Sequence, residues 1–421
     1  MNAIPDALEA IIRNEWPRLV GVGLRITHDL GAAEDCAQDA LLAAVSRWSV
    51  DGVPNNPGAW LMTVCRNQAL NAVRARDRER TRTTLLGPLS APSETGIAPQ
   101  ISDDQLRLLF TCCHPALNQD AQIALTLRMV AGLSTHDIAR GLNESASTVG
   151  QRISRAKRIL ADKRIDFVEP DPSVQIDHLP AIIDVIYLVF NEGYVARAGK
   201  QLTRNPLMHE SYRLSILLTE LAPEHTDAWS LRALIAFQLA RLEARTDPNG
   251  RPIELADQDR ALWNATLTRD GLDAIAHAER FADQGEGTPL LLQARLAACH
   301  NTAPSFDLTS WSDILRLYDQ LFELQPTPIV ALNRAVALSF ALGPATALPV
   351  LDELVKEPTL ARSHRVWAVR ADLHRRSGHM IGARDDYRTA IRLADNEAER
   401  DFLIEALAYQ QSLDETRNHD A

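Results

Sequence analysis

The stretch Leu133-Ser134-Thr135-His136-Asp137-Ile138-Ala139-Arg140-Gly141-Leu142-Asn143-Glu144-Ser145-Ala146-Ser147-Thr148-Val149-Gly150-Gln151-Arg152-Ile153-Ser154-Arg155-Ala156-Lys157-Arg158-Ile159-Leu160 decides the fold of the first part of the chain. Ser134 followed three residues on by Asp137 is a capping-box-like helix start, and Ile138, Ala139 and Leu142 give a short helix one apolar face. Asn143-Glu144-Ser145 makes a turn. Beyond it Val149, Ile153, Ala156 and Leu160 recur at spacings of 4, 3 and 4, the single buried stripe of a second helix over about 145–160. At about 100° per residue, Ser147, Gln151, Ser154, Arg155 and Arg158 gather on the side away from that stripe. The pattern predicts a helix-turn-helix whose second helix presents hydroxyls, an amide and guanidiniums outward. That donor set suits the major groove, where base edges and phosphates are bonded together.

Working outward, a second basic element begins at Asn56-Pro57, an N-cap followed by proline at the first helical position. Leu61, Cys65 and Ala72 share one face of the helix that follows, while Asn67, Asn71, Arg74 and Arg78 recur at spacings of 4, 3 and 4 on another. Asn bonds base edges and Arg contacts phosphate or stacks on bases. Trp48 and Trp60 flank the preceding loop, and each reads either as a stacking platform or as core. A third helix, Ala32–Trp48, turns Ala37, Leu41, Ala44 and Trp48 inward and projects Asp35 and Asp39 oppositely, with Gln38 beside them. An acidic stripe repels DNA, so its partner is expected to be a basic protein surface.

The charge distribution agrees. Residues 1–165 carry 19 Lys and Arg against 17 Asp and Glu, whereas the remainder carries 25 against 38, for a net charge of −11 over 421 residues. The bases cluster: Arg66, Arg74, Arg76, Arg78, Arg80 and Arg82 fall within 17 residues, and Arg152, Arg155, Lys157, Arg158, Lys163 and Arg164 within 13. Such clusters are the footprint of phosphate contact. With 46% apolar and 24% charged residues the chain is globular rather than disordered. The longest apolar run, Ala181–Phe190, is too short for a membrane span, and the N-terminus has no export signal, so a cytoplasmic protein is expected. Five cysteines, with no C-x-x-C pair, argue against a disulfide scaffold; Cys112-Cys113 reads as two small buried side chains rather than a metal site.

Organisation follows from the breaks. Residues 6–82 form a first helical block, 83–102 a Pro-, Gly- and Ser-containing linker, 103–165 the block with the helix-turn-helix, and 175–421 a helical C-terminal domain. No alternating pattern of strand length occurs, so the fold class is all-α. Within the last block, Ala331–Ala337 with Gly343 and Ala347 is echoed by Trp367–Leu373 with Gly378 and Ala383, and Ala228–Ala233 is a candidate third unit. This resembles the tetratricopeptide helix-turn-helix repeat, with a plain helical bundle as the alternative.

The three basic and acidic elements, in this order, resemble the two DNA-binding regions of bacterial extracytoplasmic-function sigma factors. Glu34-Asp35-Cys36-Ala37-Gln38-Asp39 resembles the family's acidic helix, and Pro57–Asn67 through Asp77-Arg78 its next helix. Leu133-Ser134, Ile138-Ala139, Leu142, Thr148-Val149, Arg152, Arg155-Ala156 and Leu160 resemble its helix-turn-helix. Phe110–Pro115 and Tyr187–Tyr194, with the long C-terminal block, fit the subgroup carrying a tetratricopeptide-like extension.

The resemblance implies that Asp35, Gln38 and Asp39 dock on the clamp helices of RNA polymerase core. It implies that Trp60, Asn67, Asn71, Arg74, Arg76 and Arg78 hold a melted promoter element, with Ser49–Asn56 capturing a flipped base. Ser147, Thr148, Gln151, Arg152, Ser154, Arg155 and Arg158 would hold duplex upstream DNA. Position 39 is Asp where related proteins often have Glu, which preserves the charge.

No cofactor or metal is called for, and the acidic C-terminal domain is expected to act as an intramolecular regulator. An enzyme is disfavoured: there is no P-loop, dinucleotide turn, H-E-x-x-H or G-x-S-x-G. A helix-turn-helix regulator that never joins polymerase, and a helical adaptor for acidic protein, remain as alternatives.

Overall fold

The computed structural model describes residues 3–83, 101–142, 144–163, 172–194, 205–247, 251–282, 287–394, 397 and 399–408. The chain is all-α; among the described residues the sole β feature is an isolated bridge between Thr246 and Pro252. It divides into two compact units, Met1–Leu188 and Val189–Ala421.

In the first unit α1 (Ala3–Thr27), α2 (Leu30–Asp51) and α3 (Pro57–Thr83) pack as a three-helix bundle. Asp29 caps α2 by accepting from the Ala32 amide at 2.8 Å, so α2 starts two residues earlier than its apolar pattern indicates. Small residues let the helices approach closely: a Cβ on Gly23 of α1 would lie 3.0 Å from the Ala33 backbone of α2. Leu19, Val20, Ala33, Ala37, Leu61, Cys65 and Ala69 fill the bundle core. The inward stripe of α3 therefore continues through Ala69, with Ala72 half-buried at its margin.

α4 (Ile101–Cys112), α5 (Gln119–Met129), α6 (Thr135–Leu142) and α7 (Ala146–Asp162) follow. α5 is buried over most of its surface, and α7 packs on both α5 and α6. Cys112 and Cys113 lie in this core, where burial pushes the Cys113 thiol up to about 12. The expected linker at 83–102 lies outside the described residues apart from Thr83, Ile101 and Ser102. α8 (Pro172–Tyr194) contains the boundary between the units.

The second unit comprises α9 (Asn205–Leu221), α10 (Thr226–Ala240), α11 (Ala265–Phe281), α12 (Pro289–Thr302), α13 (Trp311–Leu324), α14 (Pro328–Ala341), α15 (Pro344–Leu354), α16 (Pro358–Ala361), α17 (His364–Arg376) and α18 (Met380–Leu393). Proline at the first turn starts α12, α14, α15 and α16, where its missing N–H costs nothing. The two repeat units appear as the helix pairs α14/α15 and α17/α18. Gly343 (φ 95°) and Gly378 (φ 81°) turn the chain in a region that L side chains avoid. Ala335 with Ala347, and Ala371 with Ala383, are buried where the paired helices meet. The sequence Ala228–Ala233 lies in α10, a hub packed by α9, α11 and α12 and followed by a 3-10 turn, Leu242–Ala244. Ala228, Leu231 and Phe237 are buried along it, and Gly271 of α11 leaves room for the Phe237 ring, which a Cβ would approach to 2.7 Å.

Candidate nucleic-acid interface

α7 is set by its cap and its stripe. Ser145 Oγ accepts from the Thr148 amide at 3.0 Å, and Val149, Ile153, Ala156 and Leu160 are buried. Ser134 Oγ accepts from the Asp137 amide at 3.1 Å and donates to its carboxylate at 2.6 Å, which starts α6. The turn residue Asn143 lies outside the described residues. Ser147, Thr148, Gln151, Ser154, Arg155 and Arg158 are all exposed on α7. Arg152 differs: it flanks the buried stripe, its side chain is 20% exposed, and its guanidinium bonds Glu144 at 3.0 Å, with Asp120 3.9 Å away. It braces the turn against α5 rather than joining the outward face.

On α3, Asn67, Asn71, Arg74 and Arg78 are exposed along one line, and Arg78 Nε donates to the Arg74 carbonyl at 3.1 Å. Arg76 sits about half a turn away from that line. It reaches the end of α1, donating to the Thr27 carbonyl at 3.4 Å. Trp48 is buried and Trp60 half-buried, edge to face with ring centres 5.4 Å apart. The loop between the two helices is 52–56, shorter than the expected 49–56 because α2 continues to Asp51; Val50, in the last turn of α2, and Val53, in the loop, are exposed.

α2 carries the third surface. Asp35 and Asp39 are exposed and Gln38 is half-buried. Leu42, 65% exposed, and Val45 continue the same face, so the surface mixes carboxylates with bare apolar side chains. Sequence reasoning missed these two. The signal available was the doubled pair Leu41-Leu42, of which one helix stripe can bury only one fully.

Glu34 turns the other way. It is buried, and its carboxylate takes the Arg128 Nε–H of α5 at 2.6 Å, the Lys157 ammonium of α7, and the Gln38 amide at 3.1 Å. Burial pushes the Glu34 carboxyl up, but Lys157 and Arg128 outweigh it and hold the group below its ordinary 4.5. Arg128 in turn donates to the Leu133 carbonyl at 3.0 Å, its carbonyl accepts from Trp16 Nε1 at 3.0 Å, and its guanidinium lies 5.5 Å from the Trp16 ring centre. One carboxylate of the acidic helix thus ties the helix-turn-helix to the three-helix bundle. No group of three or more His, Cys, Asp or Glu with metal-holding geometry occurs among the described residues, and none of their helices is long and apolar enough to cross a membrane.

Comparison with known proteins follows the same division. Residues 11–79 match the sigma-70 region 2 family, residues 107–160 the sigma-70 region 4 family, and residues 178–279 a family of unknown function, DUF6596. Uncharacterized protein R00370 of Rhizobium meliloti (strain 1021) is 38% identical over 397 residues, covering 92% of each chain. Probable ECF RNA polymerase sigma factor SigI of Mycobacterium tuberculosis (strain ATCC 25618 / H37Rv) is 27% identical over 165 residues, which span 38% of this chain and 56% of SigI. ECF RNA polymerase sigma factor SigL of the same strain is 29% identical over 143 residues, 32% of this chain and 77% of SigL. Among solved structures, yeast Tom70 aligns with 98% of the chain and 85% of its own at 13% identity and a TM-score of 0.32, too low to establish shared architecture. With region 2 on α1–α3, region 4 on α4–α7 and a relative similar along nearly its whole length, the chain belongs to the extracytoplasmic-function sigma factors that carry a large helical C-terminal extension.

Proposed function

We propose that this chain binds RNA polymerase core and directs promoter-specific initiation, and that its C-terminal unit regulates that activity in the cytoplasm. Polymerase does the phosphodiester chemistry; the chain supplies recognition. The observation that carries the reading is that α3 and α7 each back an exposed polar and cationic face with a buried apolar stripe, in the order the family uses.

In this reading Asp35, Gln38 and Asp39, extended by Leu42 and Val45, meet the clamp helices. Asn67, Asn71, Arg74 and Arg78 hold the unpaired strand, with Trp60 at the rim of the base-capturing loop. Ser147, Thr148, Gln151, Ser154, Arg155 and Arg158 hold the upstream duplex, where a good bidentate base contact contributes about 1–3 kcal/mol of discrimination. Arg152 supports the α7 face from beside its buried stripe, while Arg76 is exposed off the α3 line and bonds the Thr27 carbonyl. In this reading polymerase engages an open form in which Lys157 and Arg128 have left Glu34, and the pairing of these three residues belongs to the free protein.

Run-off transcription with purified core polymerase tests this. The wild-type chain is expected to start synthesis at defined promoters, and Arg155→Ala and Asn71→Ala to weaken it. A chain that binds promoter DNA but never supports initiation would instead be a helix-turn-helix regulator outside polymerase. Leu42→Arg is expected to reduce core binding roughly tenfold or more in a pull-down or fluorescence titration, since it places a cation in a face whose partner is expected to be basic.

A further inference from the structure

Arg241, just after the last residue of α10, carries a buried guanidinium. It is 7% exposed, its Nε has no hydrogen-bond partner, and among the described residues no carboxylate pairs with it. Its charged surroundings are mainly cationic: burial, Arg245 and Arg260 all lower its hold on a proton, against the Tyr194 hydroxyl alone. Its remaining contact is with an aromatic face, 5.6 Å from the Trp263 ring centre. Burying an uncompensated cation is costly, and proteins do so where a counter-charge arrives from outside.

The same place collects further positive charge. Arg245, equally buried, donates to the Tyr194 carbonyl at 3.1 Å and lies 3.8 Å from that ring's centre. Burial raises the Tyr194 hydroxyl, but Arg245, Arg241 and Arg365 outweigh it and bring it below its ordinary 10. Three guanidiniums and this tyrosine therefore line the same place. They line a cavity of about 510 Å³ together with apolar residues, among them Leu332, Val369, Phe402 and Leu403. One carboxylate, Glu399, also lines it and is already engaged, 3.4 Å from His364 Nε2 and 3.8 Å from Arg365. Convergent charged and polar groups, Gln258 and Asn333 among them, on a lining that is otherwise apolar, at a volume in the small-molecule range of about 300–1,000 Å³, are the form of a ligand site.

We propose that this cavity binds a small organic anion, a carboxylate or phosphate monoester with an apolar body, using Arg241 as the principal counter-charge, Arg245 beside it and Arg365 as a further cation. The depth of Arg241 admits the head of a small molecule and excludes a nucleic-acid backbone. As the input of the C-terminal regulatory role the site rests on the function proposed above; as a binding site it does not.

The test uses the full chain in phosphate- and carboxylate-free buffer, with hexanoate, hexyl phosphate, hexanol and inorganic phosphate as probes, read by calorimetry and thermal unfolding. Hexanoate or hexyl phosphate is expected to bind saturably and raise the unfolding temperature by a few degrees at about 100-fold excess over Kd. Whichever of the two binds tighter identifies the head group. Hexanol is expected not to bind, and inorganic phosphate to bind at least roughly tenfold more weakly.

Arg241→Met, which keeps the length and removes the charge, is expected to unfold at or above the wild-type temperature without ligand and to lose roughly tenfold or more in affinity. Arg365→Gln, nearly half exposed and so less tied to folding, is expected to lose a few-fold. The proposal is overturned if neither anion binds below about 10 mM, if hexanol binds as well as hexanoate, or if Arg241→Met or Arg365→Gln leaves affinity unchanged. Because binding is read without transcription, a sigma factor lacking this ligand and a ligand-binding chain lacking sigma activity give different results.

Discussion

Lys157 and Arg128 both end on the carboxylate of Glu34, whose side chain is only 7% exposed, and each cation is itself largely covered. Glu34→Gln keeps the shape but leaves two covered cations unpaired. Breaking a buried pair costs about 3–5 kcal/mol, and the partial exposure of the cations lowers the expected loss here to about 2–4 kcal/mol in urea unfolding. The pH dependence has a definite sign. A carboxyl held below its ordinary 4.5 binds fewer protons in the native state than in the unfolded one. Its contribution is present above about pH 4.5 and disappears as pH falls through the lower native value, so wild type and Glu34→Gln should converge in stability on acidification. The sequence displayed Glu34 as part of an acidic motif, yet not its direction. Its partners lie 94 and 123 residues away, and no local period records a pairing of that reach.

Helices were legible because their buried stripes repeat at helical spacing. α7 follows its 4, 3, 4 pattern with all four stripe residues buried, and α3 places its two Asn and two Arg on one exposed line. Hidden from the sequence was which cations the protein itself employs. Arg152 and Arg155 read alike in a string of bases, but one bonds Glu144 and the other faces outward. Arg155→Ala and Arg158→Ala should therefore lower affinity for the upstream duplex. For each phosphate left without its guanidinium, the slope of log affinity against log salt should become shallower by about 0.9, measured by fluorescence anisotropy. Arg152→Ala should leave that slope nearly unchanged and reduce thermal stability by about 0.5–1 kcal/mol, since its pair is partly solvated. On α3, Arg74→Ala should weaken single-strand binding more than Arg76→Ala, whose side chain is turned back to Thr27.

At the scale of the whole chain, the all-α class was readable from the absence of alternation, and the pairs α14/α15 and α17/α18 from two glycines that the turn geometry requires. The hub role of α10 was not, because a helix buried on every side has no amphipathic signature to display. Ending the chain at Leu188, where the first unit closes, is expected to change promoter-specific output in reconstituted transcription; equal output would remove the regulatory role of the second unit. Donor and acceptor dyes on α2 and α7 should separate when core polymerase is added to the full chain, and Glu34→Gln should show part of that separation without polymerase.

If α2 meets polymerase and α7 the duplex, as proposed, the carboxylate that ties them together has a thermodynamic corollary. Once α2 is drawn away, Lys157 and Arg128 lose their internal anion, and a phosphate is the most available replacement on a nucleic acid. Prying the bundle open thus favours capture of the double helix, and capture of the double helix favours staying open. By reciprocity the two ligands must raise each other's affinity by one and the same factor. The pairing would make assembly positively cooperative, with the sodium or potassium concentration of the medium setting how strongly.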